Sequence, residues 1–234
     1  MINKKIPSIL GIGIILIIAI VFGGILLISN SKQNNGEIII KHTGKNINKD
    51  SNSKISVEEK YTDGVKHTNY EKDGGLNSNN VVVCSNLNEL KNSYTPADIF
   101  NGVELCINQK EYEKGVKMLI LALSYGSFDS ERVKDKTAGQ AISMLKYNHI
   151  ESKFDENRIS DFDAVFMNLM NDTEKTKVIC QEIEKIGMPN YYPSYMIEHG
   201  VEAFSKDFDP KDGLLQNFNS DEVWADVFEE NCVQ

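Results

Sequence analysis

The chain has no cysteine before Cys84, no C-x-x-C pair, and only four histidines in 234 residues. None of those histidines stands at zinc-ligand spacing, so metal binding is a poor explanation for Cys84, Cys106, Cys180 and Cys232. The G-x-S-x-G elbow, the H-E-x-x-H motif and the G-x-x-x-x-G-K-[ST] phosphate loop are all missing. The expectation is a protein without cofactor or metal, in which catalysis ranks below binding.

Ile9 to Ile28, ILGIGIILIIAIVFGGILLI, lacks any charge, amide or hydroxyl. A helix of that length is roughly 30 Å long, the thickness of a bilayer's hydrocarbon core. Lys4 and Lys5 precede the run, as in an export signal, but the run is longer than a cleavable signal core. No cysteine follows it closely, which excludes a lipoprotein anchor. The division expected is a cytoplasmic head at 1–5, a transmembrane signal-anchor at 6–29, a disordered stalk at 30–80 and an acidic helical domain at 81–234. Lys32, Lys41 and Lys45 after the run weaken the positive-inside signal, but a short basic head and a long translocated domain favour head in, domain out. The location that follows is a bacterial inner membrane, crossed once, with the domain facing the periplasm or cell exterior. Ala19-x-x-x-Gly23 permits a homodimer through the anchor.

Large apolar side chains are scarce between residues 29 and 80, where Asn, Lys, Ser and Gly dominate. Such a segment buries too little to offset its ordering entropy. Glu37 to Thr43, EIIIKHT, reads as a lone strand without an obvious partner. Residues 1–83 carry ten lysines against seven acids, net +3, and residues 84–234 carry net −12. An acidic domain repels phosphate backbones, so no nucleic-acid partner is expected and a cationic protein partner is permitted. Four cysteines beyond an export anchor suit an oxidising compartment. Three pairings exist; Cys84–Cys106 with Cys180–Cys232 closes the shorter loops, and buried thiols are the alternative.

From Val81 the pattern turns helical. Thr95-Pro96-Ala97-Asp98 supplies an N-cap, a first-position proline and an acid at the third position. Ile99, Val103, Cys106 and Ile107 form one face, and Tyr112, Val116, Leu119, Ile120 and Leu123 form the next, ending near Gly126. Further helices are expected over Glu131–Asn148, from Ser160-Asp161, from Thr173 to Gly187, from Pro193 through Phe204 and from Ser220. Together they predict an all-α domain of about seven antiparallel helices. Residues 97–126, with Tyr112, small Gly115 and small Ala122, resemble a tetratricopeptide-type helical hairpin. The sequence departs from that pattern at Glu104, where a small residue is usual, in a turn one residue short, and in having no terminal proline.

Five stretches hold the candidate chemistry. Glu198, His199 and Glu202 lie on one short element, and His199 with Glu202 is the alternative catalytic pair; a packed histidine bonded to an acid is the plainer account. Gly187 to Met196, GMPNYYPSYM, offers Tyr191, Tyr192 and Tyr195 either as an interface or as a stiff connector covering the core. Asp129 reads as an N-cap, with Asp135 set against Arg132. Asp161 and Asp163 form an acid pair, as do Asp207 and Asp209. The Asp207–Gly213 stretch lacks the bidentate Glu of a calcium loop, since Phe218 stands at position 12. The function expected is a membrane-anchored interaction module of the bacterial envelope, either a scaffold or an immunity- or inhibitor-like binder. The alternative is an envelope hydrolase built around His199.

Overall fold

The computed structural model describes residues 39–44, 55–62, 65–72, 75–205 and 207–232, with side chains described between 75 and 229. The expected membrane span lies outside these residues; among the described residues no helix is long and apolar enough to cross a membrane.

Strands β1 (Ile39–Gly44), β2 (Ile55–Thr62) and β3 (Val65–Lys72) form one sheet in the order β1-β2-β3. They fall inside the 30–80 segment, where composition alone pointed to no structure. The EIIIKHT strand does have a partner, β2. Only Asp63 and Gly64 separate β2 from β3, and Asp-Gly is the dipeptide that two-residue hairpins favour. Pairing of this kind satisfies backbone groups locally and needs no large apolar face.

The described helices all belong to the larger of two units into which the chain divides. Seven are found among the described residues: α1 (Pro96–Gln109), α2 (Tyr112–Arg132), α3 (Gln140–Lys146), α4 (Glu156–Met170), α5 (Thr173–Ile186), α6 (Ser194–Ile197) and α7 (Ser220–Cys232). Residues 75–229 contain no strand beyond an isolated bridge between Val133 and Leu214.

Helix α2 is the centre. From Gly115 to Asp129 nearly every position is buried, so it is enclosed rather than amphipathic, touching α1, α4 and α7. Helix α1 turns into it through Lys110 and Glu111, and a two-residue connection leaves the pair antiparallel. Gly115 makes the close approach feasible, since a Cβ there would sit 3.0 Å from Cys106 Cβ and 3.1 Å from Phe162. Ile99, Phe100, Val103 and Ile107 of α1 are all inaccessible.

The start of α1 forms as its residues dictate. Asp98 N donates to Thr95 Oγ1 at 3.2 Å, and Thr95 N donates back to Asp98 Oδ2 at 2.9 Å. Residues before 81 join this cap. Ser78 Oγ, Asn79 N and Asn80 N donate to Asp98 Oδ1 at 2.8, 2.7 and 2.8 Å, and Leu76 is buried. Residues 76–80 thus tie to the start of α1, ahead of the boundary expected at 81.

Several helix limits differ from expectation. Helix α2 does not stop at Gly126 but runs to Arg132, with Gly126 making room for Ile142. The single helix expected over 131–148 is a break at Val133, a 3-10 turn at Lys136–Gly139, α3, and a π turn at Tyr147–Glu151. The cap of α4 is Asp155, which accepts from Asn157 N and Arg158 N at 3.1 Å, not Ser160-Asp161. The helix from Pro193 ends at Ile197, and a separate 3-10 turn covers Val201–Phe204.

Cys84 and Cys106 form a disulfide, as loop length suggested, and Cys180 is disulfide-bonded as well. The Cys232 side chain lies outside those described.

Candidate functional site

The last buried residue of α2 is a carboxylate. Asp129 lies inside the helix, not at its cap, and its side chain has no exposed surface. Its Oδ2 accepts the Tyr191 hydroxyl at 2.9 Å and the Tyr195 hydroxyl at 2.7 Å. Its Oδ1 accepts from Arg132 Nε at 2.8 Å; Arg132 Nη2 is 2.6 Å away but not aligned as a hydrogen-bond donor. The arginine expected against Asp135 thus pairs with Asp129, three residues before it and on the same face of α2.

Burial is the largest influence on Asp129 and pushes its pKa up to about 6, against the opposing pull of Arg132, Tyr195 and Tyr191. Burial beside that carboxylate also keeps the hydroxyls of Tyr191 and Tyr195 protonated far beyond neutral pH, as it does that of Tyr125. Tyr125 Oη donates to Gly187 O at 2.8 Å. Three tyrosine hydroxyls therefore pin the Gly187–Ile197 segment to α2. Gly187 begins the segment at φ 85°, a conformation glycine adopts without strain.

Of the three tyrosines expected at an interface, Tyr195 is buried, Tyr191 commits its hydroxyl to Asp129, and Tyr192 is exposed with its hydroxyl on Pro210 O. The connector account fits Tyr191 and Tyr195, and only Tyr192 offers a partner much surface. The guanidinium of Arg132 sits 5.0 Å from the Phe128 ring centre and 5.2 Å from that of Tyr191. Phe128 in turn meets Trp224 of α7 edge-on at 5.8 Å.

His199 is 7% exposed, and burial alone pushes its pKa down. Glu202 is on the surface, and its backbone N donates to Asp135 Oδ2 at 2.8 Å. Asp135 accepts from Thr137 N and Thr137 Oγ1 through its other oxygen, so its carboxylate ties two turns together. His199 and Glu202, expected to share one helix face, belong to different turns with the break at Gly200 between them. Among the described residues no group of three or more His, Cys, Asp or Glu is placed to hold a metal ion. Asp209 caps the short turn Pro210–Asp212, accepting from Lys211 N at 2.9 Å.

Two arrangements escaped the sequence. Glu104, the residue that broke the repeat pattern, lies with Oε2 2.8 Å from His149 Nδ1, and the imidazole stacks on Phe100 at 6.2 Å. The π turn carries His149 there, and no spacing rule announces a π turn. Burial also raises the Asp163 pKa, with Lys146 opposing it and Glu151 adding to it. A surface hollow of about 410 Å³ lies between the α1–α2 turn and the α4–α5 junction, lined by Lys110, Tyr112, Glu113, Asn168 and Lys175 among others.

No family model, curated protein or solved structure matches this chain.

Proposed function

We propose that the chain is a membrane-anchored helical interaction module of a bacterial envelope, whose extracytoplasmic domain docks a protein partner. The observation that carries this reading is the apolar edge at Val81–Val83. Val82 is buried over Gly102, whereas Val81 and Val83 are 92% and 56% exposed. The Cys84–Cys106 bond ties this edge to α1, where Leu105, next to Cys106 in the chain, is 38% exposed. Branched apolar side chains held outward by a covalent tie lose little freedom on binding. Outward Val81 and Val83 on either side of inward Val82 suit an apolar groove on a partner.

Further support comes from the twenty-residue apolar run and from the tetratricopeptide-like pairing of α1 and α2 around Gly115. The net charge of −12 over residues 84–234 favours a partner with basic residues, as a scaffold or an inhibitor-like binder would meet. The hydrolase alternative loses ground to the burial of His199 and its separation from Glu202.

The test is crosslinking of the full-length protein in intact membranes, comparing wild type with a Val81→Lys, Val83→Lys double variant and with His199→Gln. The double variant should recover the wild-type partner at least about tenfold less, the scale of a lost apolar anchor, while His199→Gln recovers it normally. Equal recovery by the folded double variant removes the reading. Protease added from outside should reach the domain and leave the anchor in the membrane; full protection overturns the assigned orientation.

A further inference from the structure

The buried network at Asp129 has a consequence independent of what the chain binds. Asp129 accepts two tyrosine hydroxyls and one arginine, and neutralising it affects those partners unequally. A neutral carboxyl still accepts a tyrosine hydroxyl, but it holds a guanidinium only as a neutral acceptor, without the charge attraction. Only one Arg132 nitrogen is aligned as a donor, so the rest of the contact is charge attraction. The Arg132 side chain is 12% exposed and so already borders solvent, which gives it a way out that Tyr195 lacks.

We infer that Arg132 is a proton-released arm: protonation of Asp129 frees the guanidinium from its bed on Phe128 and Tyr191 and turns it toward solvent. The domain then exchanges a closed, internally neutral pair for an exposed cation next to the Gly187–Ile197 segment. The charged and titratable groups that face Asp129 are Arg132 and Tyr125 from α2 and Tyr191 and Tyr195 from the segment. Lys136, on the neighbouring 3-10 turn, is spent on Ser130 O, Glu131 O and the Glu131 carboxylate. Trp224, from α7, brings no charge. The elevated pKa of Asp129, about 6, puts the event just below neutral pH. His199 is another buried titratable group, its pKa lowered by burial, and it needs its own control.

The chain carries its own reporter. Its single tryptophan, Trp224, packs on Phe128, the ring under Arg132. Trp224 emission of the full-length protein, followed from pH 7.5 to 5, should change with a midpoint near 6. Asp129→Asn should abolish the transition, and His199→Gln should leave it in place. Tyr195→Phe removes a donor to the charged form and should move the midpoint upward. Arg132→Met should also move it upward and should shrink the emission change by at least half. The last two variants keep the test open if Asp129→Asn does not fold. A flat wild-type profile with helix content retained overturns the inference, as does a transition lost in His199→Gln or one left unaltered in Tyr195→Phe and Arg132→Met.

Discussion

Asp98 and Asp129 are both sealed from water, yet their surroundings drive them in opposite directions. For each, burial is the largest influence and pushes the pKa up. At Asp98, bonds donated by Asn80, Thr95 and Ser78 overcome it and hold the carboxyl below its ordinary value of 3.8. At Asp129, two hydroxyls and Arg132 do not, and the value stands at about 6. The consequences for stability have opposite signs. Asp129 binds its proton more tightly when folded, so its contribution grows as pH falls from about 6 towards 3.8. Asp98 binds its proton less tightly when folded, so its contribution is present above 3.8 and is lost as pH falls through its lowered value. The unfolding free energy of wild type minus that of Asp129→Asn should therefore rise by about 2 kcal/mol between pH 7 and 4, most of the effect of a shift of roughly two pKa units. Urea titrations of both proteins at each pH measure it, and the subtraction cancels His199. A difference that stays level or falls would mean that Asp129 is not desolvated as described.

At the scale of elements, α2 sets the arrangement because most of its length is buried, and α1, α4 and α7 pack on it while other segments tie back to it. Helix α1 does so through Gly115, and its disulfide to Cys84 fixes the Val81–Val83 stretch. The Gly187–Ile197 segment does so through tyrosines, and Asp135 fastens the Val201–Phe204 turn. The Cys84–Cys106 link has a sequence separation of 22, for which removal costs about 3 kcal/mol in the chain-entropy account. A Cys84→Ala, Cys106→Ala variant should therefore melt earlier, with faster hydrogen exchange in residues 79–84 than in α2. Uniform acceleration throughout the domain would show that the bridge holds up the whole core rather than this edge.

For the whole molecule, the question is where the helical domain begins. Three donors on Ser78, Asn79 and Asn80 converge on Asp98, with Leu76 buried beside them. A chain starting at residue 75 should fold as a cooperative helical unit. One starting at residue 81 leaves a buried carboxylate short of those donors and should lose about 2–3 kcal/mol, the order of stranding a buried charged acceptor. Parallel denaturation of the two fragments decides it, and equal stabilities would return the boundary to residue 81.

The sequence by itself determined what depends on neighbours along the chain. Helical periodicity, the Thr95–Asp98 cap, the small residue at Gly115 and the short-loop disulfide all rest on spacings within about twenty residues, and all were legible. The β2–β3 pairing was legible in principle, in Asp63-Gly64, but its local polarity masked it. Only the tertiary structure decided which charges pair. Asp129 looked like a cap because an acid after Gly126 resembles a helix start; that it lies inside α2 follows from Ile142 filling the space over Gly126, a residue sixteen positions on. Tyr191 and Tyr195 read equally well as docking surface or as a connector covering the core, and the choice turns on a carboxylate some sixty residues earlier that holds their hydroxyls. A buried charge must find its partners wherever folding brings them, so its chemistry is set by packing over distances that no local pattern encodes.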